Sequence, residues 1–342
     1  MRAMVLEEMA PVAEGSTPLA ARERPVPRPG PGEVLIRVAA CGVCHTELDE
    51  IEGRTPPPRL PVIPGHQVVG RVEAIGPGVQ ASRVGDRVGV AWIHSACGRC
   101  DFCRAGEENL CDEFRATGRD VDGGYAEFAK APEAYVAPIP DNLGDVEAAP
   151  LLCAGAVGYR SLRLAGIEDG QGLGLTGFGA SGHLVLQLVR HRFPGTKVCV
   201  FARSEGERDF ARELGAAWAG DTSDPCPESL HAVIDTTPAW TTVVKALGNL
   251  RKGGRLVINA IRKEDRDRDA LATIDYARDL WLEKEIKSVA NVTMRDVREF
   301  LRIAGEIPLR PHVQEYPLAD ANRALVELKR GGIRGGKVLT MA

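Results

Sequence analysis

Cys97, Cys100, Cys103 and Cys111 stand in the pattern C-x2-C-x2-C-x7-C, four thiols within fifteen residues, interleaved with Gly98 and Gly106. Zinc accepts four thiolates tetrahedrally, and spacers this short let one loop supply them all. Four protein ligands leave no open position, so such a site holds structure and performs no reaction. Two-residue spacers disfavour disulfides between neighbours. The odd total of nine cysteines fits a reducing compartment, so a cytoplasmic location and a structural zinc are expected.

Cys44, His66 and Cys153 offer a second donor set. Two thiolates and one imidazole neutralise Zn2+ and leave a fourth position open, which is the requirement for a catalytic site. Their separation in sequence does not by itself bring them together. Read singly, His66 is equally a core histidine and Cys153 a small buried apolar residue. Cys41-x-x-Cys44 also has the form of a metal knuckle.

Gly177-Phe178-Gly179-Ala180-Ser181-Gly182 is a G-x-G-x-x-G sequence that follows an apolar strand and opens a helical pattern. In that context Gly177 makes the tight turn, Gly179 admits the pyrophosphate of a dinucleotide, and Gly182 allows close helix–sheet contact. Ala180 and Ser181 begin the helix whose amides face the phosphates. An NAD site wants an acid about 20 residues further on. Here Ala202 is followed by Arg203 and Ser204. Without a carboxylate, and with a guanidinium to pair a 2′-phosphate, NADP(H) is favoured over NAD(H). Ser204 is equally placed to cap the next helix.

The elements that must position these residues change texture along the chain. Up to about residue 150, short apolar runs such as Glu33–Val38, Val68–Ile75 and Gly85–Val90 alternate with Gly/Pro turns, which predicts a β-rich, barrel-like domain. From about residue 155, strands at Leu173–Thr176, Lys197–Ala202, Ala232–Asp235, Arg255–Ala260 and Ile286–Ala290 alternate with helical segments, including Ser204–Leu214. That alternation predicts a parallel sheet with crossover helices. Helices over Arg295–Ala304 and Leu318–Lys329 and a strand over Lys337–Met341 follow. The charged segment Arg262–Asp269 reads as a solvated loop.

With 342 residues, 44% hydrophobic, the chain can build about two domains. A net charge of −4 gives no electrostatic case for nucleic acid. No apolar run approaches the ~18 residues that span a bilayer, and acidic Glu7 and Glu8 make the N-terminus a first strand rather than a signal peptide.

Gly42-Val43-Cys44-His45-Thr46, Gly65-His66, the four-cysteine lobe, Leu151-Leu152-Cys153-Ala154-Gly155 and the glycine turn occur in one order. Together they resemble the zinc-containing alcohol dehydrogenases of the medium-chain dehydrogenase/reductase superfamily over essentially the whole chain. The resemblance implies a GroES-like catalytic domain from 1–154 and 294–342, with the structural lobe at 95–112. It implies an inserted Rossmann NAD(P)-binding domain over 155–293, an active site in the interdomain cleft, and homodimers or homotetramers. It assigns Cys44, His66 and Cys153 to catalytic zinc, Thr46 to the substrate proton, Glu47 to the orientation of His66, His45 to the cofactor phosphates and Trp92 to the substrate pocket. Cys41 is not a ligand in that family.

Three positions depart from the family pattern. Gln67 replaces a glutamate, Asp49 replaces a relay histidine, and Ser181 replaces a branched apolar residue. Asp49 is the candidate to take the proton outward, although an ordinary aspartate is a weak base at neutral pH. The expected reaction is reversible hydride transfer between primary or secondary alcohols and NADP+ or NAD+. Polyol, threonine and formaldehyde dehydrogenases share that chemistry, and a non-catalytic relative would keep only structural metal. A metal-independent quinone or enoyl reductase would lack the catalytic cysteine and the lobe.

Overall fold

The computed structural model describes Met1–Gly331 and Arg334–Met341. Contacts divide the chain into two compact units, Met1–Ala156 with Asn291–Ala342, and Val157–Ala290.

The first unit is built on a seven-stranded sheet. Its path runs Val313–Pro317, Gly336–Thr340, Glu33–Val43, Val68–Ile75, Arg87–Val90, Val136–Pro138, with Phe128–Pro132 also on Glu33–Val43. The long strand Glu33–Val43 changes partner along its length: Phe128–Pro132 pairs with Glu33–Arg37, and Gly336–Thr340 pairs with Ala40–Val43. Register shifts against Val68–Ile75 at Leu35/Ile36 and Val38/Ala40 bend it, as bulges do in closed or strongly curled sheets. Alternate residues Val34, Ile36 and Val38 join Val68, Val72, Val88 and Val90 in the core. The C-terminal helix begins as a 3-10 turn, Leu318–Asp320, and continues as Ala321–Arg330, burying Leu325 and Leu328.

The second unit carries a six-stranded parallel sheet in the order Trp218–Gly220, Lys197–Phe201, Gly172–Thr176, Leu230–Asp235, Leu250–Ile258, Glu285–Ser288. Numbered along the chain, that order is 3-2-1-4-5-6, the Rossmann topology. Gly172–Thr176, Val198–Phe201 and Ala232–Asp235 are buried throughout, as expected for parallel strands covered on both faces. Helices Ala180–Arg192, Glu205–Glu213 and Trp240–Asn249 supply crossovers.

The Arg262–Asp269 segment is not simply solvated. The side chain of its half-buried Lys263 is largely covered and paired with Asp235, a fully buried strand residue. Among the described residues, no helix is long and apolar enough to cross a membrane.

Candidate metal centres and dinucleotide turn

In the cysteine lobe the four Sγ atoms lie within 4.8 Å of one another, with Cys97 and Cys103 3.9 Å apart. Tetrahedral zinc with bonds of about 2.3 Å places its sulfurs about 3.8 Å apart, so the cage fits that ion. Amides of Arg99 and Cys100 approach Cys97 Sγ at 3.5 and 3.3 Å. They pull its thiol down to about 6, toward the thiolate a metal would bind. Desolvation and the Cys100 thiol push Cys103 up to about 12, because four thiols cannot share one site as anions without a cation.

Cys44, His66 and Cys153 also converge, with their ligand atoms within 4.8 Å of one another. Cys44 ends the long strand and caps the helix His45–Ile51, its Sγ accepting from Thr46 N at 3.3 Å. Cys153 closes the short turn Ala149–Leu152. Cys44 Sγ stands 3.7 Å from His66 Nε2, against about 3.6 Å for a sulfur and a nitrogen on one tetrahedral zinc. The donor set and the spacing therefore fit a three-ligand zinc site.

Glu47 serves both the helix and the imidazole. One oxygen accepts from Cys44 N at 2.8 Å. The other lies 2.5 Å from His66 Nδ1, and among the described residues neither of those two atoms has another partner. A carboxylate on Nδ1 fixes the tautomer that presents Nε2 to a metal. Burial opposes charge on His66, but Glu47 and Cys44 outweigh it and raise the imidazole pKa well above its usual value. The Cys153 thiol, burial and the Glu47 charge raise Cys44. Both shifts describe a proton held where a cation would replace it.

In the second unit, Gly177 has φ +81, and a Cβ there would meet Thr236 Oγ1 at 2.7 Å and Thr237 Cγ2 at 3.0 Å. Only glycine fits that turn without strain. Around Gly179 the space is open, whereas a Cβ on Gly182 would meet Gly177 O at 2.9 Å. Gly179 caps the helix Ala180–Arg192 without a side-chain hydrogen bond, leaving the helix N-terminus to an anion. Left-handed backbone costs a non-glycine residue about 1–3 kcal/mol. Gly177→Ala is expected to weaken dinucleotide binding at least about tenfold, measured by nicotinamide fluorescence titration; unchanged affinity would remove the turn from the site.

The chain resembles known proteins along nearly its full length. Residues 30–141 match the family model of the alcohol dehydrogenase GroES-like domain. A probable alcohol dehydrogenase AdhA of Mycobacterium tuberculosis is 43% identical over 319 residues, covering 92% of this chain and 90% of its own. The chain belongs to the zinc-containing alcohol dehydrogenase family. A solved NAD-dependent alcohol dehydrogenase is 28% identical, with a TM-score of 0.88 and all of both chains covered. A cobalt- and zinc-bound thermostable alcohol dehydrogenase from Pyrobaculum aerophilum is 26% identical, with a TM-score of 0.87 and 99% of each chain covered.

The remaining candidates of this alcohol dehydrogenase fall into different environments. Thr46 is nearly buried at the start of the Cys44-capped helix, and His45 beside it is exposed. Asp49 is buried and bound to Arg54 at 2.6 Å, so its carboxylate is committed to an ion pair. Trp92 packs on Phe114 with ring centroids 5.3 Å apart, lies under the Arg119 guanidinium, and donates its indole N–H to Glu50 at 3.4 Å. Cys41 is buried in the core near Gly65 and Gly124 and is outside the metal-binding group. Ser204 caps Glu205–Glu213 in a reciprocal box with Glu207, and Arg203 is exposed.

Sequence reasoning did not assign Glu50 a place. It is buried, one oxygen has no partner among the described residues, and burial together with the Glu47 charge raises its pKa to about 8. Its position six residues after Cys44 on a short helix carries no distinguishing signal.

Proposed function

We propose that this alcohol dehydrogenase is zinc-dependent and exchanges hydride reversibly between primary or secondary alcohols and a nicotinamide dinucleotide, with NADP(H) preferred. The observation that carries the reading is the convergence of Cys44, His66 and Cys153, with Glu47 on the far nitrogen of His66. These three residues would hold the catalytic ion, and Cys97, Cys100, Cys103 and Cys111 a structural one.

A zinc ion at the three-ligand site supplies Lewis acidity toward an alcohol or carbonyl oxygen. The dinucleotide supplies the hydride chemistry at its nicotinamide ring. The chain's own residues supply placement and proton handling. Glu47 holds His66 in one tautomer. Thr46 accepts the substrate hydroxyl proton at its Oγ1 in oxidation and returns it in reduction. Asp49 stays paired with Arg54, so the proton leaves to water. Trp92, fixed between Phe114 and Arg119, forms an aromatic wall of the substrate site. The glycine turn and the following helix hold the pyrophosphate.

Arg203 supports the preference for NADP(H). It stands exposed just past the second strand, Ala202 occupies the position where an NAD site carries its acid, and the Glu207 carboxylate accepts from the Ser204 hydroxyl at 2.8 Å. Initial rates over alcohols and aldehydes with both cofactors test the whole reading. NADPH should show the lower KM, and Arg203→Ala should raise the NADPH KM at least about tenfold while changing the NADH value little. A several-fold preference of the parent enzyme for NADH would reverse the cofactor assignment.

The outer edge of Glu285–Ser288, with exposed Trp281, Leu282 and Ile286 beside it, supports association of identical chains through this sheet. A cytoplasmic setting accords with free cysteines.

A further inference from the structure

Asp235 ends the fourth strand of the parallel sheet and is fully buried. Its register partner on the neighbouring strand is Thr176, the residue before Gly177. One carboxylate oxygen accepts from Thr237 Oγ1 at 2.9 Å and Thr242 Oγ1 at 3.1 Å. The other is paired with Lys263 Nζ. Lys263 donates further to Thr237 O at 2.8 Å and Ala239 O at 3.1 Å, and its Nζ lies 5.9 Å from the Trp240 ring centroid. All the ammonium's donors are thereby used, so it is not free to bind a phosphate.

The pair joins the tip of the fourth strand, the loop Thr236–Ala239 and the segment following the fifth strand. Asp267 adds a second tie, accepting from Thr241 N and Oγ1 at 2.8 Å each. Thr236 also donates from its amide and hydroxyl to Thr176 O, both at 2.9 Å, which locks the loop to the glycine turn.

The sheet order places these residues relative to a dinucleotide. In a 3-2-1-4-5-6 sheet the pyrophosphate sits after strand 1, and the adenosine ribose is read at the end of strand 2. The other nucleotide therefore lies over the ends of strands 4 and 5, where Asp235 and Lys263 stand. A buried ion pair is a poor source of net stability, since apolar residues of equal volume often do as well. What such a pair can supply instead is conformational specificity, here one geometry for the loops it joins.

We propose that Asp235 and Lys263 form a buried clasp that positions the Thr236–Ala239 and Arg262–Asp267 loops as the floor of the nicotinamide half of the dinucleotide site. They are positioning residues and touch no reacting atom. The inference rests on the dinucleotide reading of the glycine turn.

The test uses full-length Asp235→Asn, Lys263→Met and the double variant. Binding of NADPH and NADH is followed by fluorescence, and binding of their adenine-side fragments, adenosine 2′,5′-bisphosphate and adenosine monophosphate, by calorimetry. Each single variant should weaken the whole dinucleotide at least about tenfold and its fragment less than about twofold. The double variant, which leaves no unpaired buried charge, should recover part of the loss. Asp235→Asn keeps the side-chain volume and the threonine contacts, so it remains informative if Lys263→Met folds poorly. Equal losses for dinucleotide and fragment, or a lowered Tm with unchanged dinucleotide affinity, would overturn the clasp. A parent enzyme that binds neither dinucleotide would instead remove the glycine-turn reading, and the clasp with it.

Discussion

Cys44→Ser enzyme should carry one fewer metal ion per chain and turn over alcohols at least about a thousandfold more slowly. Lewis-acid stabilisation by a bound metal contributes several kcal/mol, and about 4 kcal/mol corresponds to three decades of rate. Serine keeps the size of the side chain but offers zinc a neutral hydroxyl where a thiolate is wanted. The remaining donors, His66 and Cys153, leave one negative charge against Zn2+. The helix survives, because its reciprocal cap also uses the Cys44 amide on Glu47 at 2.8 Å. Dinucleotide affinity should be unchanged, since the glycine turn belongs to a separate compact unit. Metal analysis, steady-state rates and fluorescence titration on one preparation separate these effects. Parent-level turnover with the metal lost would show that the three-ligand site is not where the reaction occurs.

The sequence exposed the parts of this site that depend on local spacing. The lobe cysteines were visible because one short loop carries all four, and the glycine turn because its context is a strand followed by a helix. Strand alternation located the parallel sheet, since buried parallel strands are short continuous apolar runs. The convergence of Cys44, His66 and Cys153 was legible only through the family resemblance. These residues come from a strand end, the segment before another strand and a helical turn, and no periodicity connects them. Lys263 was hidden for a related reason. In a run of alternating charges it reads as solvated, and only the fold brings it to Asp235. Glu50 escaped because burial of one carboxylate on a seven-residue helix depends on Trp92 and on neighbours distant in sequence.

The cysteine lobe should fail differently from the three-ligand site. Its helical turns, Asp101–Arg104 and Glu108–Leu110, bury none of their residues, and Phe102 and Leu110 are exposed. Among its four cysteines only Cys111 is buried. With so little apolar surface removed from water, the lobe has no core able to offset its conformational entropy. Its ties to the rest of its unit include Met294 N donating to Glu108 at 2.8 Å and Ala96 N donating to the Tyr135 hydroxyl at 3.0 Å. A structural zinc contributes on the order of 10–16 kcal/mol in small domains, far more than these hydrogen bonds. Cys103→Ala should therefore lose one metal ion per chain, and limited proteolysis within the 95–112 segment should accelerate at least about a hundredfold. Far-ultraviolet dichroism should change little, because the six- and seven-stranded sheets lie outside the lobe, and only the short pair Ile93–Ser95 with Arg115–Ala116 borders it. Parent-like resistance to proteolysis with the metal absent would show that the backbone, and not the ion, holds this loop.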